Sequence, residues 1–212
     1  EAIKTLTANR TLNFSPKADK VFGGNVEKWI KFANSLRLRL AVRVSKADPT
    51  LAQREAEASV SNEVGVMTAN DDNAFMTLSN TNPFYIIMYE YNGGDSRIGA
   101  DITSYMNGYD DPRRDAMFTK STFVGKTDGY HGLRSGIAIP GAEVAHAYSN
   151  YNVKTDTKLL WMNAAEVAFL RAEGAVRGWN MGGSAQQFYE QGIREGNFMD
   201  RQSQRRPYKG KY

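Results

Sequence analysis

Two blocks of apolar residues at helical spacing, 21–65 and 158–196, flank a long stretch, 66–157, that has no sustained period. Apolar residues recurring every three or four positions specify helices with a buried side, so this layout predicts two helix hairpins separated by an insertion. In the first block Asn25 is suited to cap a helix, and Glu27 sits in its first turn near the positive end of the dipole. Trp29, Phe32, Ala33, Leu36, Leu40 and Val44 define one apolar face, with Leu38 and Val42 on another, as in a helix packed between neighbours. Arg37, Arg39 and Arg43 interleave with them and read as apolar stems with solvated heads. Asp48-Pro49 closes this helix and opens a second, Leu51, Ala52, Ala56, Ala58 and Val60, ending near Gly65. Residues 1–24 read as polar and irregular, broken by Pro16 and Gly23-Gly24.

The second block is helical from Lys158, with Leu159, Leu160, Met162, Ala165, Val167, Ala168, Phe169, Ala172 and Val176 on a broad face and Gly178 as its stop. Ser184 caps the next helix with Gln187 three residues on, a capping box. Small residues alternating with large ones allow close helix approach, as in tetratricopeptide-type packing. The predicted fold class is therefore mainly α: tetratricopeptide-like hairpins with a long loop-rich insertion and few short strands. A single or partial domain is expected, divided into hairpin 21–65, insertion 66–157, hairpin 158–196 and tail 197–212.

The insertion is rich in Asn, Asp, Gly and Tyr, and eight of the eleven tyrosines lie between Tyr85 and Tyr151. Phe84, Ile86, Ile87 and Met88 read as a short buried segment, Ile98 to Met106 as a short helix, and Ala116 to Val124 as extended. So much loop in a compact domain points to function. Tyrosine offers both a flat apolar face and a polar tip. Phe84, Tyr85, Tyr89, Tyr91, Asn92 and Asp95 form the densest such cluster, with Tyr109, Tyr130 and Trp161 as further candidates for ligand binding.

Other chemistry is poorly supported. The chain has no cysteine, which removes disulfides, thiol catalysis and Cys-ligated metals. No run approaches the apolar length of a membrane helix. Asp110 and Asp111 are adjacent in a turn, a poor match to two carboxylates flanking a scissile bond; Asp110 is expected to accept backbone N–H groups. Asn70-Asp71-Asp72-Asn73 lacks the spacing of a calcium loop and reads as a capping turn. His131 and His146 have no acidic partner pattern, and Gly182-Gly183-Ser184 lacks the residues of a phosphate loop. No metal and no cofactor are expected. The net charge of +4 resides in Arg201, Arg205, Arg206, Lys209 and Lys211 against Asp200; the remainder is neutral, which suits an uncharged ligand and disfavours nucleic acid.

Four motifs in order resemble one family, the SusD/RagB-type outer-membrane lipoproteins, in its SusD-like branch. They are the helix from Asn25-Val26-Glu27-Lys28-Trp29 to Ala41, the turn Asn70-Asp71-Asp72-Asn73-Ala74, the turn Asn107-Gly108-Tyr109-Asp110-Asp111-Pro112-Arg113, and the helix from Ala164-Ala165-Glu166 to Glu173 with Arg177-Gly178-Trp179. The resemblance spans most of residues 21–195, and Arg194 to Tyr212 departs from it, with no helical pattern expected from Asn197. It implies a non-catalytic Bacteroidetes cell-surface protein that captures glycans or other nutrients and delivers them to a TonB-dependent outer-membrane transporter. It further implies a lipid anchor upstream of Glu1, with this chain as the central part of a longer protein. The alternative reading is a tetratricopeptide-like protein–protein scaffold without a small ligand; a hydrolase would need two carboxylates facing one cleft.

Overall fold

The computed structural model describes residues 1–78, 82–123 and 129–203. In chain order they form α1 (Ala2–Ala8), α2 (Val26–Val44), α3 (Pro49–Val60), β1 (Ala74–Met76), α4 (Pro83–Tyr85), α5 (Ala100–Gly108), α6 (Arg114–Met117), α7 (Ala142–His146), β2 (Leu159–Met162), α8 (Ala164–Val176) and α9 (Ala185–Ser203). The chain divides into two compact units, one of residues 1–76 with 159–212 and one of residues 77–158.

The first unit is mainly helical and tetratricopeptide-like. The α2–α3 and α8–α9 hairpins pack through α2 against α8. Local chemistry sets the helix ends. Asn25 Oδ1 accepts from Lys28 N–H at 3.0 Å, Asp48 Oδ1 from Leu51 N–H at 2.9 Å, and Asn163 Oδ1 from Glu166 N–H at 2.7 Å. Ser184 Oγ and Gln187 Oε1 exchange bonds with each other's backbone N–H, as the capping box requires. Gly178, at φ +82°, closes α8 in the left-handed region. The core joins Leu38, Ala41 and Val42 of α2 to Ala52 and Ala56 of α3, Val167 and Ala172 of α8 and Phe188 of α9.

Several expectations are corrected here. Residues 2–8 are helical rather than irregular, and α3 ends at Val60, before Gly65. On α2 the buried stripe contains Ile30, Leu38, Ala41 and Val42, whereas Leu40 and Val44 are exposed. Trp29 and Phe32 instead join Phe22 in an edge-to-face cluster, so the largest side chains are not the innermost. Arg37 and Arg39 are not solvated heads: each makes a two-pronged ion pair, with Glu55 and Glu166 respectively. Leu159–Met162 is a strand, antiparallel to β1 with Ala74 opposite Met162. A four-residue apolar run fits helix and strand alike, and here a partner strand far away in sequence decides. Helix α9 runs to Ser203, through the segment expected to lack helix; Arg205, Arg206, Lys209 and Lys211 lie outside the described residues.

The turn Asn70–Asn73 is the structural piece its polar residues promised. Asp72 accepts from Thr68 N–H at 3.0 Å and pairs with Lys31 of α2 at 2.9 Å. Asn73 Oδ1 accepts from Ala164 N–H at 2.7 Å, and the side chain and backbone N–H of Asn70 donate to Glu195 of α9. One turn thus ties three helices.

The second unit has little regular structure, so its backbone polar groups must find other partners. Buried Asn, Ser and Thr side chains supply them. Asn82 accepts from Phe84 and Tyr85 N–H and donates to Thr157 O, and Asn150 donates to Met88 O. Thr103 and Ser149 accept from Gly132 and His131 N–H. A small apolar cluster of Ile98, Met106, Phe118 and Tyr130 lies beneath α5. Residues 114–117 are helical, and the chain is extended only from Phe118; Val124 lies outside the described residues. Phe84 and Ile87, expected to be buried, are 54% and 44% exposed.

Candidate functional site

The aromatic segment 83–94 is built by three unusual local features. Asn82 caps it, with Pro83 at the first helical position, where a missing N–H costs nothing. After α4 the chain widens into a π-helical turn, Ile86–Glu90, a conformation concentrated at functional sites. Asn92, Gly93 and Gly94 then follow in the left-handed region, at φ 48°, 70° and 71°. Gly94 is required there: a Cβ would lie 2.7 Å from Tyr89 O.

Arg97 holds this turn in place. Its Nε donates to Ala145 O at 2.9 Å and its Nη1 to the carbonyls of Gly94 and Ser96. Burial lowers the Arg97 pKa from its ordinary value, partly offset by attraction to Tyr89 and Asp95. His146 Nε2 lies 3.0 Å from Gly93 O. Tyr85 and Tyr89 stack with centroids 5.0 Å apart and planes 25° apart, and the Tyr89 hydroxyl donates to Tyr151 O. Burial raises the Tyr89 pKa, so the hydroxyl stays a donor.

Five predicted residues lie in this segment, and Asp95 immediately follows it. Phe84, Tyr91, Asn92 and Asp95 are exposed, and Tyr85 and Tyr89 are half-buried. Tyr109 follows α5 and is 74% exposed, 4.7 Å from the ring of Tyr105. Tyr130 is a core ring: it lies against Phe118, takes the Arg114 guanidinium at 5.8 Å over its face, and donates its hydroxyl to Asp115. Trp161 belongs to the first unit, on β2, tilted against Phe32 at 6.3 Å. Tyr105 and Arg97 were missed. The i, i+4 spacing of Tyr105 and Tyr109 signals the first; no local pattern signals Arg97, because its acceptors are backbone carbonyls.

Chemically, the segment offers rings, amides and hydroxyls. Asp110 does not accept backbone N–H groups as expected but pairs with Arg114, while Asp111 takes Arg113 through both side chain and backbone. The Arg113 guanidinium holds the Asp111 carboxyl below the usual carboxylate range, opposite to what a proton-donating glycosidase acid needs. Among the described residues no group of three or more His, Cys, Asp or Glu could hold a metal, and no helix is long and apolar enough to cross a membrane.

The family model described as "SusD-like: Susd and RagB outer membrane lipoprotein" matches residues 1–202, so the match continues past residue 194, where the sequence pattern was expected to depart. A SusD homolog from Bacteroides uniformis is 44% identical, with a TM-score of 0.80 over 93% of this chain and 41% of that one. A chitin-binding SusD homolog from Flavobacterium johnsoniae is 39% identical, with a TM-score of 0.82 over 93% and 42%. A SusD homolog from Bacteroides ovatus is 40% identical, with a TM-score of 0.80 over 93% and 42%. The chain thus spans about two fifths of the length of these structures. No curated protein matches it.

Proposed function

The chain belongs to the SusD-like family of SusD and RagB outer membrane lipoproteins, and from that premise we propose that it captures neutral glycans at the cell surface without breaking them. The observation that carries this reading is the stacked Tyr85–Tyr89 pair beside exposed Phe84, Tyr91, Asn92 and Asp95. Pyranose rings present apolar C–H faces that stack on such rings, while their hydroxyls take hydrogen bonds from planar amide and carboxylate groups. The left-handed turn and the Arg97 clamp pre-organise the platform, which lowers the ordering cost of binding. Capture is followed by hand-over to a TonB-dependent outer-membrane transporter, and a lipid on the longer protein anchors it to the outer membrane. The arginine-held states of Asp110 and Asp111 support the non-catalytic part.

Affinity gels carrying chitin, amylose, xylan, β-glucan and galactomannan test the reading. Retention on at least one, weakened tenfold or more by Tyr85→Ala with Tyr89→Ala, is the expected result. No retention on any of them counts against glycan capture, and release of shortened products ends the non-catalytic claim. One feature favours the scaffold reading instead: Ala165, Phe169 and Leu170 of α8, rimmed by Asn163, Glu166 and Glu173, line an open groove of about 380 Å³. A helix-in-groove partner would need Phe169, so a Phe169→Ser variant that loses a co-purifying protein while keeping glycan retention would support it.

A further inference from the structure

Asn92 and Asp110 are the non-glycine residues with positive φ among those described, at 48° and 49°. Each follows a Tyr-x-x-x-Tyr pair: Tyr85 and Tyr89 precede the first, Tyr105 and Tyr109 the second. The second pair has the same i, i+4 logic, with ring centroids 4.7 Å apart and planes tilted by 46°.

These rings do not serve the core. On α5, Thr103 and Met106 face inward and are buried, while Tyr105 and Tyr109, the residue that follows the helix, are 65% and 74% exposed. Two large rings held side by side in water present an apolar surface open to a ligand. Their surroundings are polar and planar. The Asp110 carboxylate is 94% exposed and held by Arg114, whose Nη1 also donates to Asn107 Oδ1 at 3.0 Å. Opposite charges cancel at this rim, as they do over residues 1–199, so an uncharged ligand fits better than an ionic one.

We propose that Tyr105 and Tyr109 form a second carbohydrate-stacking platform, engaging another part of the neutral polysaccharide held at Tyr85 and Tyr89. This rests on the glycan-capture reading and deepens it: the preferred ligand becomes a polymer. Two weak platforms on one unit convert the second contact into an intramolecular event, so a long chain gains avidity that a short fragment cannot.

The test compares the wild-type chain, Tyr105→Ala with Tyr109→Ala, and Tyr85→Ala with Tyr89→Ala. Each is titrated with amylose, xylan, β-glucan and galactomannan and with the hexasaccharide of whichever polymer binds. Loss of the second pair is expected to weaken polymer binding tenfold or more while leaving hexasaccharide binding unchanged. Tyr105→Trp with Tyr109→Trp, which keeps the ring faces, should restore polymer binding and so exclude a mere folding defect. Unchanged polymer binding overturns the second platform and leaves the first standing. Equal weakening of polymer and hexasaccharide also overturns it, showing one site only. Failure of the wild-type chain to bind any of these carbohydrates, or the chitin gel, overturns both readings.

Discussion

Arg39 on α2 and Glu166 on α8 are joined by two parallel hydrogen bonds, Nε to Oε1 and Nη2 to Oε2, each 2.6 Å, across 127 residues of sequence. The pair fastens the first helix hairpin to the second where α2 and α8 cross. Both side chains keep some solvent contact, 22% and 40%, so screening limits the gain. A double-mutant cycle with Arg39→Ala and Glu166→Ala, read by urea unfolding, should give a coupling of about 1 kcal/mol. Arg39→Lys should recover less than half of it, because one ammonium cannot reproduce the fork. A coupling indistinguishable from zero would mean that this pair adds nothing to the apolar packing and the Asn70–Asn73 ties that join the hairpins.

Acid should loosen the first unit through two carboxylates. Burial by itself would raise the pKa of Asp72 and of Asp19, but hydrogen bonds reverse the sign. Thr68 N–H and the Lys31 ammonium act on Asp72, and Val21 N–H, the Trp29 indole and Gly24 N–H on Asp19. Both therefore fall below the ordinary carboxylate value. Groups with lowered folded pKa values contribute stability that is complete above the unfolded value, near 4, and is lost as pH falls through the folded one. Asp72→Asn should cost about 2 kcal/mol at neutral pH and flatten the decline of stability below pH 4. An unaltered acid limb in this variant would exclude Asp72 as its source.

Gly94→Ala should damage the tyrosine platform selectively. The new methyl group meets Tyr89 O in a left-handed backbone that alanine resists. A cost of about 1–3 kcal/mol is expected, confined to the second unit. Hydrogen exchange should quicken around residues 86–97, with α2 and α8 unaffected. Protection retained throughout residues 86–97 would contradict the close approach.

Tyr130 provides an alkaline marker. Burial first, and then its bond to Asp115, push its pKa up to about 12. A raised value means that its contribution is complete below the unfolded pKa of about 10 and is lost as pH rises through about 12. Ultraviolet titration of Tyr130→Phe should lack the latest-ionising phenol of the wild-type protein. A titration curve with the same late step would place that phenol elsewhere.

The helix hairpins were legible because their signals are local. Asn25, Asp48 and Ser184 mark helix starts by bonds that span three residues, and Gly178 marks a stop by its own backbone freedom. What failed was anything decided at a distance. Leu159 to Met162 carry apolar residues compatible with either structure, and only pairing with Ala74–Met76 makes them a strand. Tyr130 looks like its fellow tyrosines in sequence, yet Asp115 and Phe118 draw it into the core while Tyr105 and Tyr109 remain outside.

By itself the sequence determined where α2, α3 and α9 begin, which residues could supply rings, and a neutral body that points away from ionic ligands. Tertiary structure alone decided which rings are presented. Exposure depends on what packs against each face, and those contacts come from residues far along the chain. The same holds for Arg97, whose carbonyl partners at Gly94, Ser96 and Ala145 exist only once the turn and α7 have come together.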